Sequence, residues 1–310
     1  MFLVCGEALF DLFLESESGP GASLYAARSG GSPFNVAIGL SRLGTPAALL
    51  TGLSRDLLGQ RLRRVLEDEG VATTYAIDTE RPTTISLVGL DFAGVPAYQF
   101  YDRDSAGTGI TVGDLPRVGP EVTGLHFGSY SIAAEPVADA FLALASAERD
   151  RFISLDPNIR PTVVPDMQIW RHRVGALIPF VDLLKISFED LAIVHPGMSA
   201  AVFARETLAR GPRLVVVTDG GERARAWTAS GLYAEASPPA VEVIDTVGAG
   251  DTFQAALISR LLRHPDGPGA GIDALDQAGL EAMLDYAARA AALTCSRRGA
   301  DLPRASELSD

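Results

Sequence analysis

The sequence predicts an α/β protein, a three-layer, mostly parallel sheet flanked by helices, with a small β lid. Two features of the chain carry that expectation. Short apolar runs alternate with longer helical stretches, as buried parallel strands do when helices cover both faces of their sheet. Two other stretches, Phe10 to Ala27 and Thr84 to Arg103, alternate apolar and polar residues, the mark of half-exposed antiparallel strands.

The elements follow in order. Met1-Phe2-Leu3-Val4-Cys5-Gly6-Glu7 starts without a basic segment and soon meets an acid, so it reads as a first buried strand rather than a signal peptide. The two alternating stretches come next, the second with a turn at Asp91-Phe92-Ala93-Gly94. Both follow elements expected to end at the carboxyl edge of the sheet, where α/β proteins bind ligands, so they are read as a lid over that edge. Leu125-His126-Phe127, Phe152-Ile153-Ser154-Leu155, Leu183-Leu184-Lys185-Ile186 and Leu214-Val215-Val216-Val217 are buried strands. Helices are expected over Val137 to Arg149 and Ala200 to Arg210, and an Ala-rich one over Leu280 to Thr294. Gly267 to Gly271 reads as a loop. Without repeats or linkers, residues 1–310 are expected to form one domain, with lid strands inserted at about 10–28 and 84–104.

Composition narrows the function classes. Hydrophobic residues make up 47% of the chain, enough for a large core. The net charge of −13 argues against nucleic acids and anionic membranes as partners, and no apolar run is long enough to span a bilayer. Cys5 and Cys295 lie in apolar settings without metal-ligand spacing, as expected of reduced thiols in a cytoplasmic protein.

The segment richest in chemistry is Val241-Glu242-Val243-Ile244-Asp245-Thr246-Val247-Gly248-Ala249-Gly250-Asp251-Thr252-Phe253. It reads as a strand-like run entering a Gly-Ala-Gly turn, then a helix from Asp251 to about Arg263. Small residues let backbone approach a ligand, and the first N–H groups of a helix lack intrahelical partners. With the helix dipole they suit the charge that builds on a transferring phosphoryl group. An acid at that turn fits a base accepting a hydroxyl proton; the bland alternative is a helix cap. Lys185 is the one lysine of the chain and lacks a Gly-Lys-Ser/Thr context, which excludes a Walker-type loop. No three-glycine dinucleotide fingerprint follows the first strand either.

Asp245 to Phe253 resembles the C-terminal signature of the ribokinase-like (PfkB) carbohydrate kinases. Gly30-Gly31-Ser32-Pro33-Phe34-Asn35-Val36-Ala37, running on to Gly44, is similar to the N-terminal signature of the same family. The resemblance implies an ATP-dependent sugar kinase with Asp251 as catalytic base and Gly248, Ala249 and Gly250 cradling the moving phosphoryl. It places Asp11, Gly30, Gly31, Asn35, Arg103, Asn158 and Arg160 around the sugar. Without the family, Asn35 would be a helix N-cap and Asp11 a strand-end acid. The ATP side would comprise Lys185, Ser187, Thr218, Gly220, Gly248, Gly250 and Ala291. Asp190 would hold Mg2+ through water, although Ser187-x-x-Asp190 stands where relatives carry Asn-x-x-Glu. Glu189 is a second candidate for that role, and a Ser187 helix cap is the plainer reading. Backbone at Asp245 and Thr246 would hold a monovalent cation, with K+ the ion implied.

His126 to Ser131, Glu135-Pro136 and Asp156 to Pro161 are most similar to bacterial fructokinases, so fructose is the expected acceptor. Ribose, 2-keto-3-deoxygluconate and a nucleoside are alternatives, the last stacking on Phe92, Phe100 or Tyr101. A sugar-binding regulator without catalysis is the alternative from another class. The half-exposed lid strands leave sheet edges that a second copy would cover, which implies a homodimer through the lid.

Overall fold

The computed structural model describes residues 1–17, 19, 21–90 and 96–308. The expected turn at Asp91 to Gly94, and Phe92 with it, lie outside them. The chain opens with β1 (Phe2–Cys5), β2 (Leu9–Glu17), β3 (Ser23–Gly30) and helix α1 (Ser32–Arg42). Then come β4 (Ala47–Leu50), β5 (Gly52–Ser54), α2 (Leu57–Asp68), β6 (Ile77–Thr79), β7 (Thr84–Leu90) and β8 (Pro96–Tyr101). The middle runs β9 (Gly124–Gly128), α3 (Val137–Ala147), β10 (Phe152–Asp156), α4 (Met167–Leu177), β11 (Leu183–Ser187), α5 (Phe188–Val194) and α6 (Ala200–Leu208). The last part holds β12 (Leu214–Asp219), β13 (Arg223–Thr228), β14 (Tyr233–Ala236), α7 (Ala249–Leu261), α8 (Pro268–Asp273) and α9 (Gln277–Cys295).

An eight-stranded sheet in the order β14-β13-β12-β11-β10-β9-β1-β4 forms the middle layer. Its pairs are parallel from β12 to β4, and β13 and β14 close one side as antiparallel strands. Every residue of β1, β9 and β10 is buried, as expected of strands covered on both faces. One core cluster joins Val4, Leu183 and Val216 to α1, α7 and α9; the other joins Leu3, Ile153 and Val215 to α3, α4 and α6. The chain leaves β1 toward β4 on one side and β9 lies on the other, so the crevice beyond β1 and β9 is a topological switch point.

Above that crevice stands a second sheet, in the order β3-β2-β7-β8. The two hairpins are antiparallel as expected, but β2 and β7 join them in parallel, a long-range pairing that local alternation does not reveal. Three local expectations change. Asp11, read without the family as a strand-end acid, lies within β2, in the lid sheet. The run before the Gly-Ala-Gly turn forms no strand; Ile244 N donates to Cys295 O, and Val243 and Ile244 are exposed. Gly267 to Gly271 is no loop, because Gly267 at φ 92° starts the short helix α8 with Pro268 in its first turn, where proline needs no N–H partner.

Candidate active site

Helix α7 starts at a left-handed Gly248 (φ 80°), where a Cβ would lie 2.7 Å from Ala300 Cβ. The Ala249 N–H is taken by Thr246 O at 3.3 Å, while Gly250 and Asp251 follow in the first turn, where no intrahelical carbonyl is within reach. Asp251 is 7% exposed. Ser32 Oγ donates to its Oδ1 at 2.6 Å and Asn35 Nδ2 to its Oδ2 at 2.8 Å. Burial pushes the Asp251 carboxyl above its ordinary range, and the Ser32 and Asn35 bonds and the Lys185 charge oppose that push. The result is a carboxylate with raised proton affinity, fixed in direction by α1 and seated at the positive end of α7.

Lys185 rises from β11 beneath this turn. Its ammonium pairs with Asp156 Oδ2 at 2.7 Å, both side chains buried, and a Cβ added to Gly250 would lie 3.1 Å from Nζ. Asp190, in the first turn of α5, accepts from Ile159 N at 3.2 Å and is pushed up to about 6 by burial and then by Asp156. Ser187 caps α5, its Oγ accepting from Asp190 N at 3.0 Å, so the plain cap is realised here. Asn158 holds a left-handed conformation (φ 42°), and half-buried Arg160 turns back to donate to Ile159 O at 3.0 Å. Its charge lowers Asp190, Asp11 and Glu7, each of which burial raises, so the guanidinium stands between the two halves of the crevice.

The switch-point side is built from the lid sheet downward. Strand register aligns Arg28, Asp11, Ser86 and Phe100 in one row across β3, β2, β7 and β8, and side chains of such a row share a face. Phe100 meets the buried Tyr130 edge-on, ring centroids 6.0 Å apart. Gly30 and Gly31 pass so closely that a Cβ would lie 2.7 Å from Asp11 Oδ2 and from Glu7 O, respectively. Arg103 is exposed in the turn after β8. Below them, Glu7 is fully buried and accepts from Ser131 Oγ.

At the other end, Thr218 is the penultimate residue of β12, and Gly220 (φ 49°) turns the chain into β13. Asp245 Oδ2 accepts from Gly299 N at 2.8 Å, and the Asp245 N–H reaches Cys295 O, which binds the loop before α7 to the end of α9. Ala291 on α9 packs half-buried against the α7 side of the core. Lys185, Asn158, Arg160, Thr218 and the α7 start thus lie at the carboxyl ends of the core strands, with Asp11, Gly30 and Gly31 on the lid strands beside them. Arg103 is exposed, and no contact among the described residues ties it to them. Sequence reading missed three side chains of the centre: Ser32, Asp156 and Glu7. Each lies inside a recognised motif, but its partner is far along the chain or on another strand.

This geometry agrees with the comparisons. A family model described as pfkB family carbohydrate kinase matches residues 1–307. The chain belongs to the pfkB family of carbohydrate kinases. This kinase is 39% identical over 262 residues to a fructokinase of Rhizobium leguminosarum bv. trifolii, covering 84% of this chain and 79% of the relative. Its fold superposes on fructokinase with bound ATP from Xylella fastidiosa at a TM-score of 0.90 and 25% identity, over 99% and 96% of the two chains. A double mutant of fructokinase from Vibrio cholerae O395, bound to fructose, ADP and a potassium ion, superposes at 0.81 with 26% identity, over 97% of this kinase and 94% of that chain. Among the described residues no helix is long and apolar enough to cross a membrane.

Proposed function

We propose that this kinase transfers the γ-phosphoryl of ATP to the 6-hydroxyl of D-fructose, giving fructose 6-phosphate and ADP. The observation that carries the chemistry is Asp251, a buried carboxylate of raised proton affinity at the N-terminus of α7. The fructose assignment is supported by the names of its relatives.

The sugar lies under the lid with hydroxyls donating to Asp11, between Gly30–Gly31 and the Arg103, Asn158 and Arg160 side. Asn35, expected to line the sugar, acts through Asp251, which it holds. The hydroxyl proton passes to Asp251 as the sugar oxygen bonds to the γ-phosphorus and the bond from that phosphorus to the bridging oxygen of ADP breaks. Gly250 and Asp251 N–H groups stabilise the equatorial oxygens, a term worth about 10²–10³-fold per donor in enzymes that use it. Lys185 and Arg160 supply fixed positive charge, with Ser187, Thr218, Gly220 and Ala291 along the nucleotide. The lid sheet excludes water that would otherwise hydrolyse ATP.

Mg2+ supplies charge neutralisation on the phosphates when bound. Its fit rests on Asp190, a buried carboxylate whose proton affinity burial and Asp156 raise, so it would hold a dication through water and give that charge a partner. For a monovalent cation, K+ included, the Asp245–Thr246 backbone beside the end of α9 is the candidate cage. Leu14, Leu24, Tyr25 and Tyr101 are exposed on the lid, whose edge strands are β3 and β8, which supports a homodimer through it. A single kinase domain working on cytoplasmic ATP completes the reading.

ADP release with ATP and Mg2+ across fructose, ribose, 2-keto-3-deoxygluconate and adenosine tests the assignment, run with and without K+. Turnover selective for fructose is expected. Faster turnover on another acceptor keeps the reaction and replaces the substrate. Sugar binding with no turnover on any acceptor overturns the catalytic reading.

A further inference from the structure

We propose that Asp156 is a positioning residue of this kinase: it holds the Lys185 ammonium beside the phosphoryl path and off the catalytic base Asp251. The inference rests on the reading of Lys185 as an ATP-side group and deepens it.

A buried lysine in this protein calls for a reason. All other long cationic side chains of the chain are arginines, and the single lysine is almost wholly buried in the middle strands of the sheet. Its ammonium stands between two acids. Asp156 takes it directly at 2.7 Å, whereas Asp251 accepts from Ser32 and Asn35. The lysine still acts on Asp251 through its charge, so the two are neighbours without being bonded.

The remaining charged and titratable groups around this pair are accounted for. His126, on β9, is hydrogen-bonded through Nδ1 to Ser154 Oγ at 2.9 Å, and burial followed by the Lys185 charge lowers it to about 3, which leaves it neutral at working pH. Arg160 is cationic and only half-buried. Asp190 also feels the Lys185 charge, but it already accepts from Ile159 N at 3.2 Å on the first turn of α5. Asp156 is therefore the counter-ion that fixes the amine. Strand register fixes Asp156 in turn: it pairs with Gly128 on β9, where a Cβ would lie 2.6 Å from Asp156 O, so the backbone beneath it has no room to shift. Were Asp156 uncharged, the ammonium would be free to turn to Asp251, the carboxylate next in the chain to Gly250, whose added Cβ would stand 3.1 Å from Nζ. That contact would make the base a poorer proton acceptor and draw the positive charge away from the phosphoryl group.

The first test is Asp156→Asn, assayed by kcat and KM for fructose and ATP as functions of pH. Wild-type Asp251 is raised by burial and by the Asp156 charge and lowered by Lys185; the substitution removes one raising charge and strengthens the lowering one. The acid limb of kcat/KM should therefore move to lower pH while kcat falls about 10²-fold, the cost of a small misplacement in an active site. KM for fructose should change little. A fall in kcat with an unmoved acid limb would reveal a merely structural role and overturn the proposal.

Should the single variant fail to fold, Lys185→Met is compared with the Lys185→Met/Asp156→Asn double variant. With the amine gone, Asp156→Asn should add no further loss in kcat; a further tenfold loss would show that Asp156 does not act through Lys185. A second readout separates this proposal from the reading beneath it. One lysine gives one side-chain resonance in protein labelled with [ζ-15N]lysine. That resonance should move when a non-hydrolysable ATP analogue is added, and should differ between wild type and Asp156→Asn. If it ignores the analogue, the ATP-side reading of Lys185 fails and the ion pair is structural. If it follows the analogue but is the same in the variant, the reading stands and the positioning role is overturned.

Discussion

Asn35 Nδ2 donates to Asp251 Oδ2 at 2.8 Å, joining the first turn of α1 to the first turn of α7 across 216 residues. Together with Ser32 Oγ at 2.6 Å from Oδ1, it makes the two sequence signatures of the chain into one site. A hydrogen bond to a carboxylate favours its charged form. Asn35→Ala and Ser32→Ala should therefore each raise the proton affinity of Asp251, which burial already raises. The acid limb of the kcat/KM profile should move to higher pH in both variants, the opposite direction to that for Asp156→Asn. A limb that stays in place would mean that Asp251 is not the group whose ionisation governs turnover.

Asp251→Asn keeps the size of the side chain and removes the base. General-base catalysis contributes about 10²–10⁴-fold, so kcat should fall by that factor. Fructose affinity, measured by calorimetry without nucleotide, should stay within about threefold, because Asp11 and the Gly30–Gly31 turn lie on other elements. Loss of sugar binding along with turnover would assign Asp251 a structural role.

The lesson for sequence reading lies in these same residues. The α/β alternation of buried runs and the half-exposed pattern of β2, β3, β7 and β8 follow from local hydrophobicity, and the core strands β9 to β12 and helices α3, α6 and α9 stand where that pattern puts them. The glycine turn before α7 was legible because close approach and a left-handed Gly248 demand glycine. Pairings were not. Nothing near Ser32 in the chain shows that it will meet Asp251, and an Asp-Pro segment gives no sign that Asp156 faces a lysine one strand over. The parallel junction of β2 with β7 was hidden for the same reason. The run at Val241 to Ile244 misled because its β-branched residues satisfy strand propensity, yet the segment finds one backbone partner, Cys295 O, and no strand beside it.

Two glycines of the same turn should respond differently to a methyl group. Gly248→Ala must accept φ 80° and a 2.7 Å approach to Ala300 Cβ, so it should lose about 1–3 kcal/mol of stability together with activity. Gly250 has a helical backbone in the first turn of α7, where alanine gains at most the about 0.5–1 kcal/mol of a helix interior, but its new Cβ would stand 3.1 Å from Lys185 Nζ. Gly250→Ala should therefore melt no lower than wild type while kcat falls. Thermal denaturation run beside ADP release distinguishes the two, and equal destabilisation in both would refute the assignment of Gly250 to catalysis.

Asp190 ties stability to function with a definite sign. Its folded value of about 6 lies above the ordinary 3.8, burial being the first cause and Asp156 the second. The folded chain therefore holds more protons than the unfolded chain between these values, and stability from this group falls as pH rises through that window. Above pH 6 the full cost stands, about 3 kcal/mol for the gap. Asp190→Asn removes that cost while keeping an oxygen for Ile159 N. Ligand-free Asp190→Asn should thus melt several degrees above wild type at pH 7.5 and close to it at pH 4.5, yet turn over more slowly at saturating ATP and Mg2+. Calorimetry at the two pH values checks this directly. A variant that melts lower at pH 7.5 would show that the Asp190 charge is already compensated within the ligand-free protein, leaving no electrostatic strain for a dication to relieve.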